Sequence, residues 1–132
     1  MALDYNNLEF RKKVWKHGNE VEGYPSDEIR KDAAGAWIIF DRYGQDDPFG
    51  WQIDHICPRK LLEDKHVDET LWDDLRNLRP MNYTNNHSKG ANYPNYIARM
   101  KSEGDINVEC EESFTVNQEL QDILNQLFGI TL

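Results

Sequence analysis

The sequence predicts a single domain of the α+β class. Three observations carry that reading: an unbroken apolar run at residues 35–40, strict apolar/polar alternation at 51–56, and helical spacing of apolar residues near both ends. A chain of 132 residues has room for one modest core and not for two. With 39% apolar and 30% charged residues it has the composition of a folded globular chain.

Taken in order, residues 7–17 place Leu8, Phe10, Val14 and Trp15 near helical spacing with basic residues between them, which predicts a short amphipathic helix. Gly18 and Gly23-Tyr24-Pro25-Ser26 punctuate the chain, and Ser26 is placed to cap a helical turn through Lys31. The run Gly35-Ala36-Trp37-Ile38-Ile39-Phe40 predicts a buried strand, and residues 43–50 a polar turn. In Trp51-Gln52-Ile53-Asp54-His55-Ile56 the alternation sets Trp51, Ile53 and His55 on one face of a strand that Pro58 ends. Residues 59–76 read as a charged loop with a helical turn, packed through Leu61, Leu62, Leu71, Trp72 and Leu75. A short extended piece at 77–81 follows, then a helix over 83–89 with Gly90 just past its end. Tyr93-Pro94-Asn95 is expected to open another helix reaching Arg99 or Met100, and residues 106–114 a strand. Thr115-Val116-Asn117-Gln118 has the form of a capping box. It would open a last helix with Leu120, Ile123, Leu124 and Leu127 on one face and Gly129 at its end.

Charge and cysteine content narrow the functional classes. Lys and Arg total 15 against 24 Asp and Glu, a net charge of −9, where a nucleic-acid enzyme usually carries a basic footprint. The excess is uneven: residues 101–132 hold one basic and seven acidic residues, which leaves residues 1–100 at only −3. Cys57 and Cys110 form no paired motif, so neither a four-thiolate zinc site nor a disulfide framework is expected. No run of about 18 apolar residues suggests a membrane span. The first six residues lack the basic-then-apolar pattern of a secretion signal, so the expected location is the cytoplasm.

Between residues 51 and 90 the polar residues become specific. Trp51-Gln52-Ile53-Asp54-His55-Ile56-Cys57-Pro58 precedes Asp73-Asp74-Leu75-Arg76-Asn77-Leu78, and Asn86-His87-Ser88-Lys89-Gly90 follows. The three blocks, in this order, resemble the HNH endonuclease family, and residues 30–38 resemble the lead-in of one bacterial subgroup. The likeness spans roughly residues 30–95, with an acidic segment at 103–132 beyond it. It implies a ββα-metal (HNH) core with additional flanking helices in a single domain spanning 1–132. It also implies a divalent cation, Mg²⁺ or else Mn²⁺, and DNA rather than RNA as substrate. Carried over by position, His55 would be the general base, Asp54 and Asn86 the metal ligands, and Asn77 the brace of the loop that positions His55.

The chemistry of these residue types agrees with that assignment. Phosphodiester hydrolysis needs an activated water and a stabiliser for developing negative charge. Neutral imidazole suits the first need, and a carboxylate with an amide oxygen suits a hard cation. Lys89 lies three residues after Asn86 on the same helical face, where it would meet a phosphate; Arg79 and His87 are further candidates for substrate contact, and His87 competes with Asn86 as ligand. His17 and His66 read as exposed bystanders, and Trp37, Trp51 and Trp72 as core. Three departures from the pattern stand out: the 22-position loop from His55 to Asn77 is long, Ala34 replaces a subgroup cysteine, and no cysteine-paired zinc ribbon is present. The rival expectation is a catalytically inactive HNH-fold interaction module, whose acidic C-terminal segment meets a basic protein partner.

Overall fold

A computed structural model describes residues 5–131. Of the six N-terminal residues read above for a secretion signal, residues 1–4 lie outside it. The described chain mixes four helices with three two-stranded antiparallel sheets, an α+β arrangement. Helix α1 (Leu8–Trp15) is capped by the Asn7 side chain, which accepts from the Phe10 N–H, and it buries Val14 and Trp15. Its Leu8 stays exposed.

Strands β1 (Ile29–Lys31) and β2 (Trp37–Ile39) pair as a short hairpin. The helical turn expected from Ser26 through Lys31 is cut short: Glu28 and Ile29 donate to the Pro25 carbonyl, but from Ile29 onward the chain is a strand. There Arg30 sits in register with the buried Ile38, and the pairing outweighs the local cap signal. β2 is shorter than the apolar run, because residues from Phe40 turn into a 3₁₀ helix, Phe40–Arg42. Before β3, Gly50 is obligatory: a Cβ there would lie 1.7 Å from the Gln45 carbonyl oxygen.

Strand β3 (Trp51–His55) pairs with β4 (Leu78–Asn82) so that Asp54 faces Arg79 and His55 faces Leu78. The expected segregation of faces is broken, since Asp54 is buried while Ile53 and His55 are only half-buried. The strand also stops at His55, and Pro58 instead precedes helix α2 (Arg59–Asp64). Two 3₁₀ turns, Glu69–Leu71 and Leu75–Asn77, complete the long connection. Helix α3 (Tyr83–Lys89) starts on the Asn82 side chain, which accepts from the Thr84 and Asn85 N–H groups, and ends at Gly90 with φ +51°.

The helix expected after Pro94 is strand β5 (Asn95–Glu103), paired along its length with β6 (Ile106–Thr115) around a bulge between Ala98 and Met100. Proline is also tolerated just before a strand, and the partner that settles the choice lies beyond the Gly104 turn. Helix α4 (Gln118–Phe128) is capped by Asn117 rather than Thr115, and Gly129 ends it in the left-handed region.

The core falls into two clusters. One joins Ile56, Cys57, Leu62, Met81, Tyr96, Val116, Leu124 and Phe128; the other joins Trp15, Ile38 and Trp51. Leu124 and Phe128 bring α4 into the larger cluster, so the acidic segment is packed into the domain and is no detachable tail. No helix among the described residues is long and apolar enough to cross a membrane.

Candidate functional site

Asp54, His55 and Asn86 meet at a cleft of about 310 Å³ between the end of β3 and the side of α3. Arg59, Lys60, Pro58 and Gly90 also line it. The end of β3 at His55 lets two consecutive side chains serve one cleft, which a regular strand would send to opposite faces. A larger cavity of about 410 Å³ lies elsewhere, lined by His17, Leu78, Asn117, Leu120 and Ile123 among others, and its lining includes no carboxylate.

Asp54 is 4% exposed and sits between two cations. Arg79 Nε donates to its Oδ2 at 3.0 Å, and Lys89 Nζ lies 3.2 Å from its Oδ1. Lys89 is fully buried and also donates to the His55 carbonyl at 3.1 Å. Burial lowers its pKa, against the pull of the Asp54 charge. The expected roles of Lys89 and Arg79 at a phosphate are therefore corrected: both side chains turn inward to neutralise a buried carboxylate that would otherwise be costly to desolvate. Arg79 also lies over the Tyr96 ring. His87 does not line the cleft; it is exposed, with its ring stacked on Tyr83.

His55 is held differently. Its Nε2 lies 2.6 Å from Asp73 Oδ1 and 3.2 Å from the Tyr5 hydroxyl. Burial lowers the His55 pKa, and Arg59 adds to that against the opposing pull of Asp73, which favours the neutral imidazole a general base requires. Partial burial pulls the pKa of Asp73 up, but bonds from Tyr5 and His55 and the nearby Arg59 charge outweigh it and hold the carboxyl below its ordinary value. Burial, with the bond to Asp73, pushes the Tyr5 hydroxyl up to about 12.

Asn77, expected to brace the loop, is completely buried and bonds to backbone at both ends of the long connection. Its Oδ1 accepts from the Cys57 N–H at 2.8 Å, while its Nδ2 donates to the Cys57 and Trp72 carbonyls. Asn86 Nδ2 donates to Gln52 Oε1 at 2.9 Å, and no bond to its Oδ1 is formed among the described residues.

Each Asp54 oxygen accepts one bond and so keeps lone-pair capacity, and the Asn86 amide oxygen is the second donor on the same cleft. This pair fits a hard divalent cation that completes its shell with water and phosphate oxygens. Among the described residues no group of three His, Cys, Asp or Glu side chains is placed to hold a metal ion. With Lys89 and Arg79 beside Asp54, the donor set fits an ion that arrives together with an anion better than a bare one.

Sequence reasoning missed four residues here. Arg59 and Lys60 supply positive charge at the cleft, and their place just after Pro58 was the available signal. Asp73 was visible only as part of a motif. Tyr5 carries no local signal, because its partners lie 50 and 68 positions away. Compared with protein-family models, curated proteins and solved structures, the chain matches none.

Proposed function

We propose that this chain is a metal-dependent endonuclease of the HNH type, cutting phosphodiester bonds of DNA at the cleft between β3 and α3. The order β3, β4, α3 supports a ββα-metal core, and one observation carries the reading: the Asp54-His55 pair and Asn86, drawn from two separate blocks of sequence, line a single cleft. His55 takes a proton from a water molecule, whose oxygen bonds to phosphorus as the bond from phosphorus to O3′ breaks. A 5′-phosphate and, after protonation of O3′, a 3′-hydroxyl result. Asp54 and Asn86 would hold one Mg²⁺ or Mn²⁺, which supplies stabilisation of the charge developing on the leaving oxygen. Arg59 and Lys60 offer the cleft the cationic contacts that buried Lys89 and Arg79 do not.

Incubating supercoiled plasmid with the protein at low salt tests this. Nicking is expected with Mg²⁺ or Mn²⁺, none with EDTA, and none from His55→Ala. An intact plasmid under every metal, with no heat of metal binding by calorimetry, rejects the enzyme.

A second reading keeps the scaffold without the chemistry, as a module that binds a basic protein partner. It is favoured by the net charge of −9 and by the two cations already paired with Asp54. Capture of a basic partner by a protein that binds no metal supports it.

A further inference from the structure

We propose that Asp73 is the positioning residue of His55: its carboxylate holds the Nε2 proton and leaves Nδ1 as the lone pair that receives the proton of water. This rests on the nuclease reading above and names the atom through which His55 works.

The geometry decides the tautomer. An ionised carboxylate only accepts hydrogen bonds, so an Oδ1 to Nε2 separation of 2.6 Å requires the proton to lie on Nε2. A neutral imidazole has one ring proton, and Nδ1 is then bare. No hydrogen bond to Nδ1 occupies that lone pair among the described residues.

Asp73 sits between two 3₁₀ turns in the long connection, where an isolated side chain would swing. Instead it is anchored from several elements. Tyr5 Oη donates to the same Oδ1 at 2.6 Å, and Arg59 Nη2 reaches Tyr5 Oη at 2.8 Å and Asp73 at 3.4 Å. The carboxylate thus joins the N-terminal segment, α2 and the connection at Nε2. As the water proton arrives at Nδ1 the ring becomes a cation, and the anion already on Nε2 stabilises it. The unusually long connection thereby gains a purpose, since it brings Asp73 to the imidazole 18 positions after it.

The test uses the full chain labelled with ¹⁵N and long-range ¹H–¹⁵N spectra of the histidine rings, beside plasmid nicking by wild type, Asp73→Asn and Asp73→Glu. A proton on Nε2 of His55 in the wild type is expected. In Asp73→Asn that preference disappears and kcat falls by about 10²-fold or more, while KM and calorimetric Mn²⁺ affinity stay within about threefold. Asp73→Glu is expected to restore part of both losses, which a purely structural role for the loop would not do. A wild-type proton on Nδ1, or Asp73→Asn nicking within about threefold of wild type, overturns the proposal and leaves the nuclease reading standing. Wild-type protein inert with every metal overturns the nuclease reading and the catalytic use of Asp73 with it. That failure is distinguishable because the ring spectra need neither substrate nor metal.

Discussion

Two buried aspartates, Asp32 and Asp54, occupy the same small domain and are satisfied in opposite ways. Asp32 is fully buried at the end of β1, and its oxygens accept four N–H bonds: Ala34 and Ala36 at Oδ1, Asn82 and Asn85 at Oδ2. No cation pairs with it among the described residues. Burial pushes its pKa up, and the four donors, Asn85 foremost, oppose that. Asp54 lies on the cleft with one side-chain cation on each oxygen. A carboxylate whose lone pairs are filled by fixed donors is a junction. One held by two side-chain cations, a single bond on each oxygen, keeps lone-pair capacity for a ligand. On the proposed function, the difference separates a residue that builds the domain from one that would hold the ion.

The junction also involves Asn85, whose Nδ2 reaches both Asp32 and the Met100 carbonyl while its Oδ1 accepts from the Arg99 and Met100 N–H groups. It fastens α3 to β5 at the bulge and so fixes the helix that carries Asn86.

The largest expected effect falls on the junction. Asp32→Ala strands four buried N–H groups and is expected to cost on the order of 4 kcal/mol, read by urea unfolding, with Mn²⁺ affinity of the folded fraction unchanged. A cost below about 1 kcal/mol would mean that the four bonds add nothing net. Next comes Asp54→Ala, which leaves Lys89 and Arg79 buried without their anion; about 3 kcal/mol is expected, this time with Mn²⁺ binding and nicking lost. Retained metal binding would erase the distinction between the two aspartates. Smaller again, Lys89→Met is expected to cost about 1–2 kcal/mol, because Arg79 still pairs with Asp54, and to tighten Mn²⁺ several-fold by removing a competing cation. Unchanged or weaker Mn²⁺ binding in a folded variant would show that Lys89 does not oppose the ion.

The smallest effect concerns pH. Asp73 titrates lower in the folded chain than its ordinary 3.8, so the unfolded chain takes up the proton first as pH falls. The stabilisation is complete above pH 3.8 and declines as pH drops through the lower folded value. The melting temperature of wild type should therefore fall more steeply in that acid range than that of Asp73→Asn, and parallel curves would contradict the assignment.

How much of this was legible beforehand depended on the distance over which each residue finds its partner. β3, α3 and α4 were visible because alternation, helical spacing, Gly90 and Gly129 act locally. β5 was misread because Pro94 signals a helix start as well as a strand edge, and only pairing with β6 decides. Asp54, His55 and Asn86 could be named from motif order, and the resemblance implied a shared site, whereas alternation alone would send Asp54 and His55 to opposite faces. Lys89 and Arg79 looked like phosphate contacts because a sequence does not say which way a basic side chain turns. The Asp32–Asn85 bond spans 53 positions and the Tyr5–Asp73 bond spans 68, and neither leaves a periodic trace.

The most direct test places the ion. Mn²⁺ titrated into ¹⁵N-labelled His55→Ala protein with a short DNA duplex should broaden the amide signals around Asp54 and Asn86 while sparing those of Ala34 and Ala36 beside Asp32. Broadening centred elsewhere, or none with the duplex bound, would contradict a metal-dependent site at this cleft.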